Sequence, residues 1–252
     1  MKTICIILPV LNEEKNILIL VKRIEAALSD RNYIIQFVED GSIDATVKII
    51  EYLVNKDIKY KLLQRKKLSF GSIRGSALYE AMELQYKNLE IEVFIEIDGD
   101  LSHSPEELIT GIGIIENQQA DVVIASRFVK GGRIIDRSMS RNLISFISSK
   151  ILGFIFKRSI KDYSNGYRFY NRIAAKLILD HTIYYSSPIY LTEVIAIWLK
   201  NKLRINEFAS TYYGRKEGLS KLRFIDLFKA FFCLFEITIR YYIRGFQKKS
   251  SS

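Results

Sequence analysis

The chain has 252 residues, 48% of them hydrophobic, which is enough to fill the core of one large domain and excludes a disordered or fibrous protein. Its 38 Lys and Arg outnumber its 28 Asp and Glu, and the net charge of +10 favours an anionic partner such as a nucleotide, a nucleic acid or a membrane surface. The two cysteines, Cys5 and Cys233, are too few for a disulfide scaffold, so a cytosolic setting is the default.

Short apolar runs alternate with segments of helical spacing through the first half of the chain. Five runs of strand length lie at 3–8, 34–38, 60–63, 93–97 and 122–125. This alternation predicts an α/β fold, with a mostly parallel sheet that helices cover on both faces. Ligands of such sheets bind at the carboxyl ends of the strands. Beyond residue 128 we expect helices at 140–156, 173–179 and 190–200, and a last strand at 204–208.

The second predicted strand is followed by Asp40-Gly41-Ser42. Ser42, or Asp44 just beyond it, suits the turn and the N-cap of the next helix. Asp40 could also accept hydrogen bonds from a base or a ribose, a role that capping does not require. It is therefore a candidate nucleotide contact.

Two aspartates leave the fourth predicted strand with one glycine between them. Asp98 and Asp100 end the apolar run, and Gly99 lets the backbone approach a ligand closely. Carboxylate oxygens and a nucleotide diphosphate together suit the octahedral shell of Mg²⁺ or Mn²⁺. Acidic pairs are also common at strand exits. The metal interpretation therefore depends on the position of this pair at the carboxyl end of a predicted parallel strand, where ligands bind. His103 and His181 lack metal-ligand spacing, and we expect His103 to be structural and His181 to lie at the surface.

The C-terminal segment 224–243 is rich in Phe and Tyr, and its charged residues fall on one stripe of a helical wheel. The wide apolar face either covers the protein's own core or lies flat on a bilayer. Arg244, Lys248 and Lys249 would attract anionic headgroups, and a second apolar helix at 143–156 adds to this surface. No stretch reaches the roughly 18 uncharged apolar residues that a spanning helix needs. The pattern favours a monotopic protein on the cytosolic leaflet.

Several motifs coincide with the predicted strand ends or follow the sheet. They are Ile7-Leu8-Pro9-Val10-Leu11-Asn12-Glu13-Glu14, Glu39-Asp40-Gly41-Ser42, Asp98-Gly99-Asp100-Leu101-Ser102-His103 and Ser126-Arg127. Together they resemble the inverting family 2 glycosyltransferases, which have the Rossmann-like GT-A fold. Asp98 to His103, Asn165-Gly166-Tyr167-Arg168-Phe169-Tyr170 and Gly218-Leu219-Ser220-Lys221-Leu222 most resemble the dolichol-phosphate mannose synthase, or polyprenyl-phosphate sugar synthase, branch.

The resemblance implies a role for each matching position. The nucleotide site would comprise Pro9, Leu11, Glu13, Asp40, Asp98, Gly99 and Lys221. The metal site would comprise Asp98, Asp100 and Ser102, and the acceptor phosphate would meet Arg127, Arg141 and Ser145. The catalytic residues would be Asp100, Arg127 and Arg215, with Arg215 and Lys221 on a basic loop that closes over the phosphates.

The implied reaction is transfer of a sugar, with mannose favoured, to polyprenyl or dolichyl phosphate with inversion. GDP-mannose is the favoured donor and a UDP-sugar the alternative, because Leu11 and Glu39 depart from the family pattern near the base. A phosphomonoester, with a second pKa of about 6, is already ionised and needs no general base. Many hydroxyl-directed relatives carry a Glu-Asp pair whose Asp resembles that base. Here the site reads Thr192-Glu193-Val194, so the Asp is missing. Glu193 could still be a base, or it could be structural.

Three other functions are compatible with parts of the sequence. A family 2 transferase that acts on a glycan hydroxyl in polysaccharide assembly is the main alternative. A nucleic-acid-binding protein would interleave its aromatic residues with Lys and Arg on an exposed sheet, which the helical pattern does not favour, so no nucleic acid partner is expected. A silent homologue would have no need of Asp98 and Asp100. We expect a glycosyltransferase domain at 1–222, including the acceptor-side helix at about 140–157, and an amphipathic membrane-surface helix with a basic tail at 223–252.

Overall fold

The computed structural model describes residues 3–65, 74–185, 189–214 and 224–249, and for residues 74, 141 and 224–231 it describes the backbone alone. Within these ranges the strands are β1 (Thr3–Val10), β2 (Tyr33–Glu39), β3 (Tyr60–Gln64), β4 (Ile91–Glu96), β5 (Val122–Ser126), β6 (Arg133–Ile135), β7 (Arg168–Asn171), β8 (Ile205–Ala209) and β9 (Thr211–Tyr213). The helices are α1 (Ile17–Ala27), α2 (Thr46–Lys56), α3 (Arg74–Tyr86), α4 (Leu108–Glu116), α5 (Met139–Ile155), α6 (Arg172–Asp180), α7 (Tyr190–Lys200) and α8 (Phe224–Ile239).

A seven-stranded sheet runs in the order β3-β2-β1-β4-β7-β5-β8. All neighbours pair in parallel except β7, which is antiparallel to both β4 and β5. The mostly parallel sheet is therefore confirmed, and each predicted strand lies within two residues of an observed one. A second, two-stranded sheet pairs β6 with β9 in parallel beside the main sheet.

Strand β7 is the element of the main sheet that the sequence analysis missed. It has only four residues and begins with Arg168, whose side chain is fully buried. The guanidinium donates hydrogen bonds to the carbonyl oxygens of Tyr163, Asn165 and Leu191 at 2.8 to 3.1 Å. Tyr163 and Asn165 lie five and three residues before Arg168, whereas Leu191 is 23 residues away. A buried arginine in a four-residue strand interrupts the apolar pattern by which strands are predicted, so this strand was missed.

Hydrophobic clusters cover both faces of the sheet. Along β1, Ile4 and Ile6 belong to one cluster, and Cys5 and Ile7 to the other, as the two-residue period of a strand requires. Helices α1, α2 and α4 contribute to the first cluster, and α3, α6 and α7 to the second. The fold is thus a three-layer α/β sandwich, in which the strand ends open onto one edge.

The chain after α8 is bound to the main body of the protein. A π-helical turn at Arg240–Arg244 is followed by a tail in which the carbonyl of Gln247 accepts from the Thr182 amide at 2.9 Å. The prediction that His181 lies at the surface was wrong. This tail bridges to His181 and leaves it 3% exposed, with Nδ1 2.7 Å from the carbonyl oxygen of Leu177.

Candidate active site

The ends of β1 and β4 meet at the carboxyl edge of the sheet. A Cβ atom on Gly99 would lie 2.9 Å from Cγ1 of Val10, 3.3 Å from the carbonyl oxygen of Pro9 and 3.7 Å from Cγ of Glu13. A side chain at position 99 would therefore force the two loops apart. The structure thus brings Pro9, Glu13 and Gly99 together, as expected for one pocket, and Leu11 lies beside them with 39% exposure.

The loop after β1 is fastened to the loop after β2. The Asn12 amide donates to Oγ of Ser42 at 3.0 Å, and Oδ1 of Asn12 accepts from the Ile43 amide at 2.8 Å. The Glu13 amide donates to Oγ1 of Thr46 at 2.7 Å. These reciprocal bonds fix the two loops as one platform along the sheet edge.

Asp40 is held by an arginine that the sequence analysis missed. Its Oδ1 lies 2.7 Å from Nη1 of Arg65, and both side chains are 4% exposed. Arg65 follows β3 and also donates to Ser76 and Glu80 of α3, at 2.6 and 3.2 Å. The arginine therefore fixes the carboxylate of Asp40, which the resemblance assigns to the nucleotide site. Its position just beyond the third predicted strand is the feature by which the sequence could have identified it.

Asp98 and Asp100 lie half-buried where β4 ends. Oδ2 of Asp98 is 3.3 Å from Nε2 of His103, and Oδ1 of Asp100 accepts from the Ser102 amide at 3.0 Å. The His103 ring in turn contacts the rings of Tyr167 and Tyr212, with centroids 5.1 and 5.3 Å away. These contacts hold the His103 ring beside the first aspartate. That its role is structural stays a prediction.

Among the described residues, no three His, Cys, Asp or Glu side chains are grouped to hold a metal ion. Two carboxylates two residues apart nevertheless fit a hard divalent cation that takes its other ligands from a diphosphate and water. Oγ of Ser102 is buried and has no hydrogen-bond partner within the described part of the chain. Since buried hydroxyls are nearly always paired, an unpaired one beside the two aspartates fits a site that a bound group completes.

Arg127, at the end of β5, is locked to a buried carboxylate. Its Nε and Nη2 donate to the two oxygens of Asp162 at 2.8 and 2.7 Å, and Nη2 also donates to Oγ of Ser164. Burial alone would raise the pKa of Asp162, but the hydrogen bonds and charge of Arg127 hold it below its ordinary value. Asp162 is a second residue that the sequence analysis did not assign, although it opens the polar turn before Asn165.

The acceptor-side residues cluster at the start of α5. Ser145 is half-buried, and its Oγ lies 3.4 Å from both Nη atoms of Arg137, a residue that was not predicted. Arg141 lies in the same first turns, where the structure describes its backbone alone. Arg215 and Lys221 lie outside the described residues.

Glu193 has a structural environment. It is fully buried and accepts from the amides of Tyr184 and Tyr185 at 3.0 to 3.1 Å, and Arg240 lies 3.4 Å away. Burial raises the pKa of this carboxyl in spite of those bonds. The contacts attach the end of the C-terminal helical segment to the chain before α7, which favours the structural interpretation over a general base.

Comparison with known proteins agrees with this geometry. The model of the family described as glycosyl transferase family 2 matches residues 5–179. The dolichol-phosphate mannosyltransferase of Pyrococcus furiosus is 30% identical over 230 residues, which are 90% of this chain but 61% of that protein. The polyprenol monophosphomannose synthase of Mycolicibacterium smegmatis is 27% identical over 240 residues, 93% of this chain and 86% of that one.

A solved structure shows the same fold. Glucosyl-3-phosphoglycerate synthase from Mycobacterium tuberculosis, in complex with Mn²⁺, uridine diphosphate and glucosyl-3-phosphoglycerate, has a TM-score of 0.64 at 14% identity. The match covers 95% of this chain and 80% of that one. The edge of the sheet described above is thus part of a known arrangement of strands and helices.

Proposed function

Because the chain belongs to glycosyl transferase family 2 and has the GT-A fold, we propose that it transfers a sugar from a nucleotide-sugar donor to the phosphate of a polyprenyl or dolichyl lipid. The observation that carries this choice of acceptor is the environment of Glu193. Its carboxylate is committed to two backbone amides and to Arg240. A hydroxyl acceptor would need a base, whereas a phosphate acceptor is already ionised. The names of the Pyrococcus and Mycolicibacterium relatives support the same acceptor class.

The proposed reaction is a single displacement at the anomeric carbon. An acceptor phosphate oxygen forms the new bond as the bond to the nucleoside diphosphate breaks, so the configuration inverts. Asp98 and Asp100, with Ser102 beside them, would hold Mg²⁺ or Mn²⁺, which neutralises charge on the departing diphosphate. Arg215 and Lys221 would add positive charge from the basic loop, and Arg127 with its partner Asp162 would orient the acceptor.

For the donor we propose GDP-mannose, with a UDP-sugar as the alternative. The names of both relatives point to mannose. The nucleotide would lie on the platform of Pro9, Leu11 and Glu13, beside Asp40. Glu39, the departure from the family pattern, is 4% exposed and accepts from the Ser42 amide of its own loop. It therefore shapes the loop under the base.

Release of nucleoside diphosphate tests both the acceptor and the donor. The purified protein is incubated with Mn²⁺, a panel of GDP- and UDP-sugars, and one of three acceptors: a short polyprenyl phosphate, the matching polyprenol or an oligosaccharide. We expect GDP release from GDP-mannose only with the lipid phosphate. Release with the oligosaccharide alone would instead support the hydroxyl-directed transferase.

We further propose that the protein lies on the cytosolic face of a membrane through two helical surfaces, with 1–222 as the catalytic domain and 223–252 as the appended membrane segment. On α5, large apolar side chains recur on one face and are 41 to 86% exposed; they are Met139, Leu143, Phe146, Ile147, Ile151 and Phe154. The C-terminal helical segment adds Phe232, Phe235 and Ile243, at 59 to 78%. Clustered exposed apolar residues mark an interaction surface. Within the described ranges, no helix has both the length and the hydropathy needed to cross a bilayer.

Replacing Leu143 and Phe154 together with Glu is expected to weaken binding to anionic vesicles at least about 10-fold, because two inserted apolar side chains are lost and two negative charges gained. Co-sedimentation with vesicles measures the effect. The matched control replaces Ile58 and Leu89, both 82% exposed and outside the two helical surfaces, and it should bind as the wild type does. Equal binding by both variants would contradict the proposal. Substitution is preferable to deletion of the C-terminal segment, because deletion would remove Ile237 of α8, which is fully buried in the core.

A further inference from the structure

The guanidinium groups of two arginines contact the same tyrosine ring beside the acceptor-side residues. The Cζ atoms of Arg127 and Arg137 lie 5.5 and 5.4 Å from the centroid of Tyr212. The same ring contacts His103, which supports Asp98. Tyr212 therefore connects the candidate metal site to a pair of guanidinium groups.

The charge of the first arginine is already offset. Asp162 accepts from Nε and Nη2 of Arg127 and so occupies one bidentate edge of its guanidinium. Arg127 and Asp162 are 5% and 0% exposed. A phosphomonoester carries about −1.5 to −2 charges near pH 7, so a buried pair of zero net charge would leave it poorly neutralised. Besides Arg141, which the resemblance also assigns to this phosphate, a further cation would complete the neutralisation.

Arg137 is placed to supply that charge. It is half-buried, and it donates to Oδ1 of Asn142 at 3.2 Å and to Oγ of Ser145 at 3.4 Å. These distances are at or beyond the long end of the range for N–H···O bonds, so the stronger acceptor oxygens of a phosphate could replace these two contacts. Asn142 and Ser145 lie in the first two turns of α5, whose N-cap Ser138 makes no side-chain capping bond. The helix N-terminus adds positive potential at the same place.

The backbone before Arg137 is fixed to Gly214, the last described residue before Arg215. The Gly214 amide donates to the carbonyl of Ile135 at 2.7 Å, and a Cβ atom on Gly214 would overlap the carbonyl oxygen of Asp136. Asp136 itself has a left-handed φ of 55°. Gly214 directly precedes Arg215, so the segment that carries Arg137 is anchored where the basic loop begins.

On the basis of the proposed function, we propose that Arg137 binds the phosphate of the acceptor, together with Ser145 and beside the Arg127–Asp162 pair. The ligand chemistry is a phosphate group, borne by a lipid or by a small soluble molecule. The guanidinium would exchange its long bonds to Asn142 and Ser145 for charge-assisted bonds to two phosphate oxygens.

Steady-state kinetics test this assignment once the wild type has been shown to transfer sugar to polyprenyl phosphate. Arg137→Ala is expected to raise KM for the lipid phosphate about 10- to 100-fold, as for loss of a charge-assisted bond, with KM for the donor changed less than about 2-fold. Arg137→Lys should recover part of the loss, because it keeps the charge but not the planar fork. Arg133→Ala, which removes an exposed arginine from β6, is the matched control and should behave as the wild type. An unchanged KM for lipid phosphate in Arg137→Ala would overturn the assignment.

Direct binding separates this assignment from the proposed function. Equilibrium dialysis of the wild type and Arg137→Ala is carried out with a radiolabelled short polyprenyl phosphate and, separately, with inorganic phosphate. Weaker binding of the lipid by the variant, with little inorganic phosphate bound by either protein, supports a lipid phosphate. Arg137-dependent binding of inorganic phosphate would support a soluble source. Such binding by a wild type that transfers no sugar would uphold the role of Arg137 and contradict the proposed function alone. Equal binding of both probes by both proteins would overturn the role of Arg137.

Discussion

Replacing Asp100 with Asn is expected to lower the rate of sugar transfer about 100- to 1000-fold, because a stabiliser of developing charge is lost from the active site. The substitution removes one of the two carboxylates that we propose hold the divalent cation. The amide side chain keeps the size of the carboxylate and can still accept from the Ser102 amide through its oxygen. The fold should therefore survive, and transfer rates across a Mn²⁺ titration measure the effect.

Glu92→Gln is the matched control for charge. Glu92 is exposed on the same strand, β4, near the end opposite the aspartates. This variant should retain the wild-type rate and Mn²⁺ dependence. Full activity of Asp100→Asn at every Mn²⁺ concentration would remove Asp100 from the metal site.

The second large effect is on stability. Asp162→Ala leaves Arg127 as a buried charge without its carboxylate partner, and such a break costs about 3–5 kcal/mol of the free energy of unfolding. Denaturant unfolding measures the loss. Asp180→Ala is the matched control, because Asp180 pairs with Lys176 across an exposed helix surface, with the two side chains 40% and 57% exposed. Exposed pairs contribute about 0–1 kcal/mol. Equal losses in the two variants would show that the buried pair contributes no more to the free energy of unfolding than the exposed pair does.

The same pair makes stability depend on acid pH. Since the pKa of Asp162 is lowered in the folded protein, its ionised form stabilises the fold above the ordinary carboxyl pKa of about 4. This contribution is lost as the pH falls through the lowered pKa. Asp162→Asn cannot titrate at this position, so its stability should fall less between pH 5 and pH 2 than that of the wild type. Parallel curves for the two proteins would contradict this.

The elements that the sequence predicted best are those with a strong local pattern. Strands β1 and β5 are almost wholly apolar, and β2 and β4 are largely apolar, because the sheet is buried on both faces. Helix α7 was predicted with the bounds that the structure shows. The four-residue strand β7 was missed because it is short and its buried Arg168 interrupts the apolar pattern.

The residues of the candidate site likewise fall into those that the sequence predicted and those that it did not. Asp98, Gly99 and Asp100 could be found from a strand exit and a short motif. Their supporting contacts could not, because Arg65 is 25 residues from Asp40, and Asp162 is 35 residues from Arg127. Such pairs depend on which strands become neighbours.

The C-terminal tail makes contacts that its basic composition did not predict. The basic residues Lys248 and Lys249 suggested a segment that faces lipid headgroups. The Lys249 amide instead donates to the carbonyl of Asp180 at 2.8 Å, and its ammonium contacts the hydroxyl of Tyr79. A tail bound to the middle of α3 and the end of α6 therefore contributes to the fold.

Transfer of radiolabel into lipid tests the central claim most directly. The protein is incubated with Mn²⁺, a short polyprenyl phosphate and GDP-mannose labelled in the sugar, and the mixture is extracted with organic solvent. We expect the label to enter the organic phase as a single sugar on the lipid phosphate, with inverted configuration, and only when the divalent cation is present. Label that stays in the aqueous phase with every nucleotide sugar, and moves only to an added glycan, would contradict transfer to a lipid phosphate.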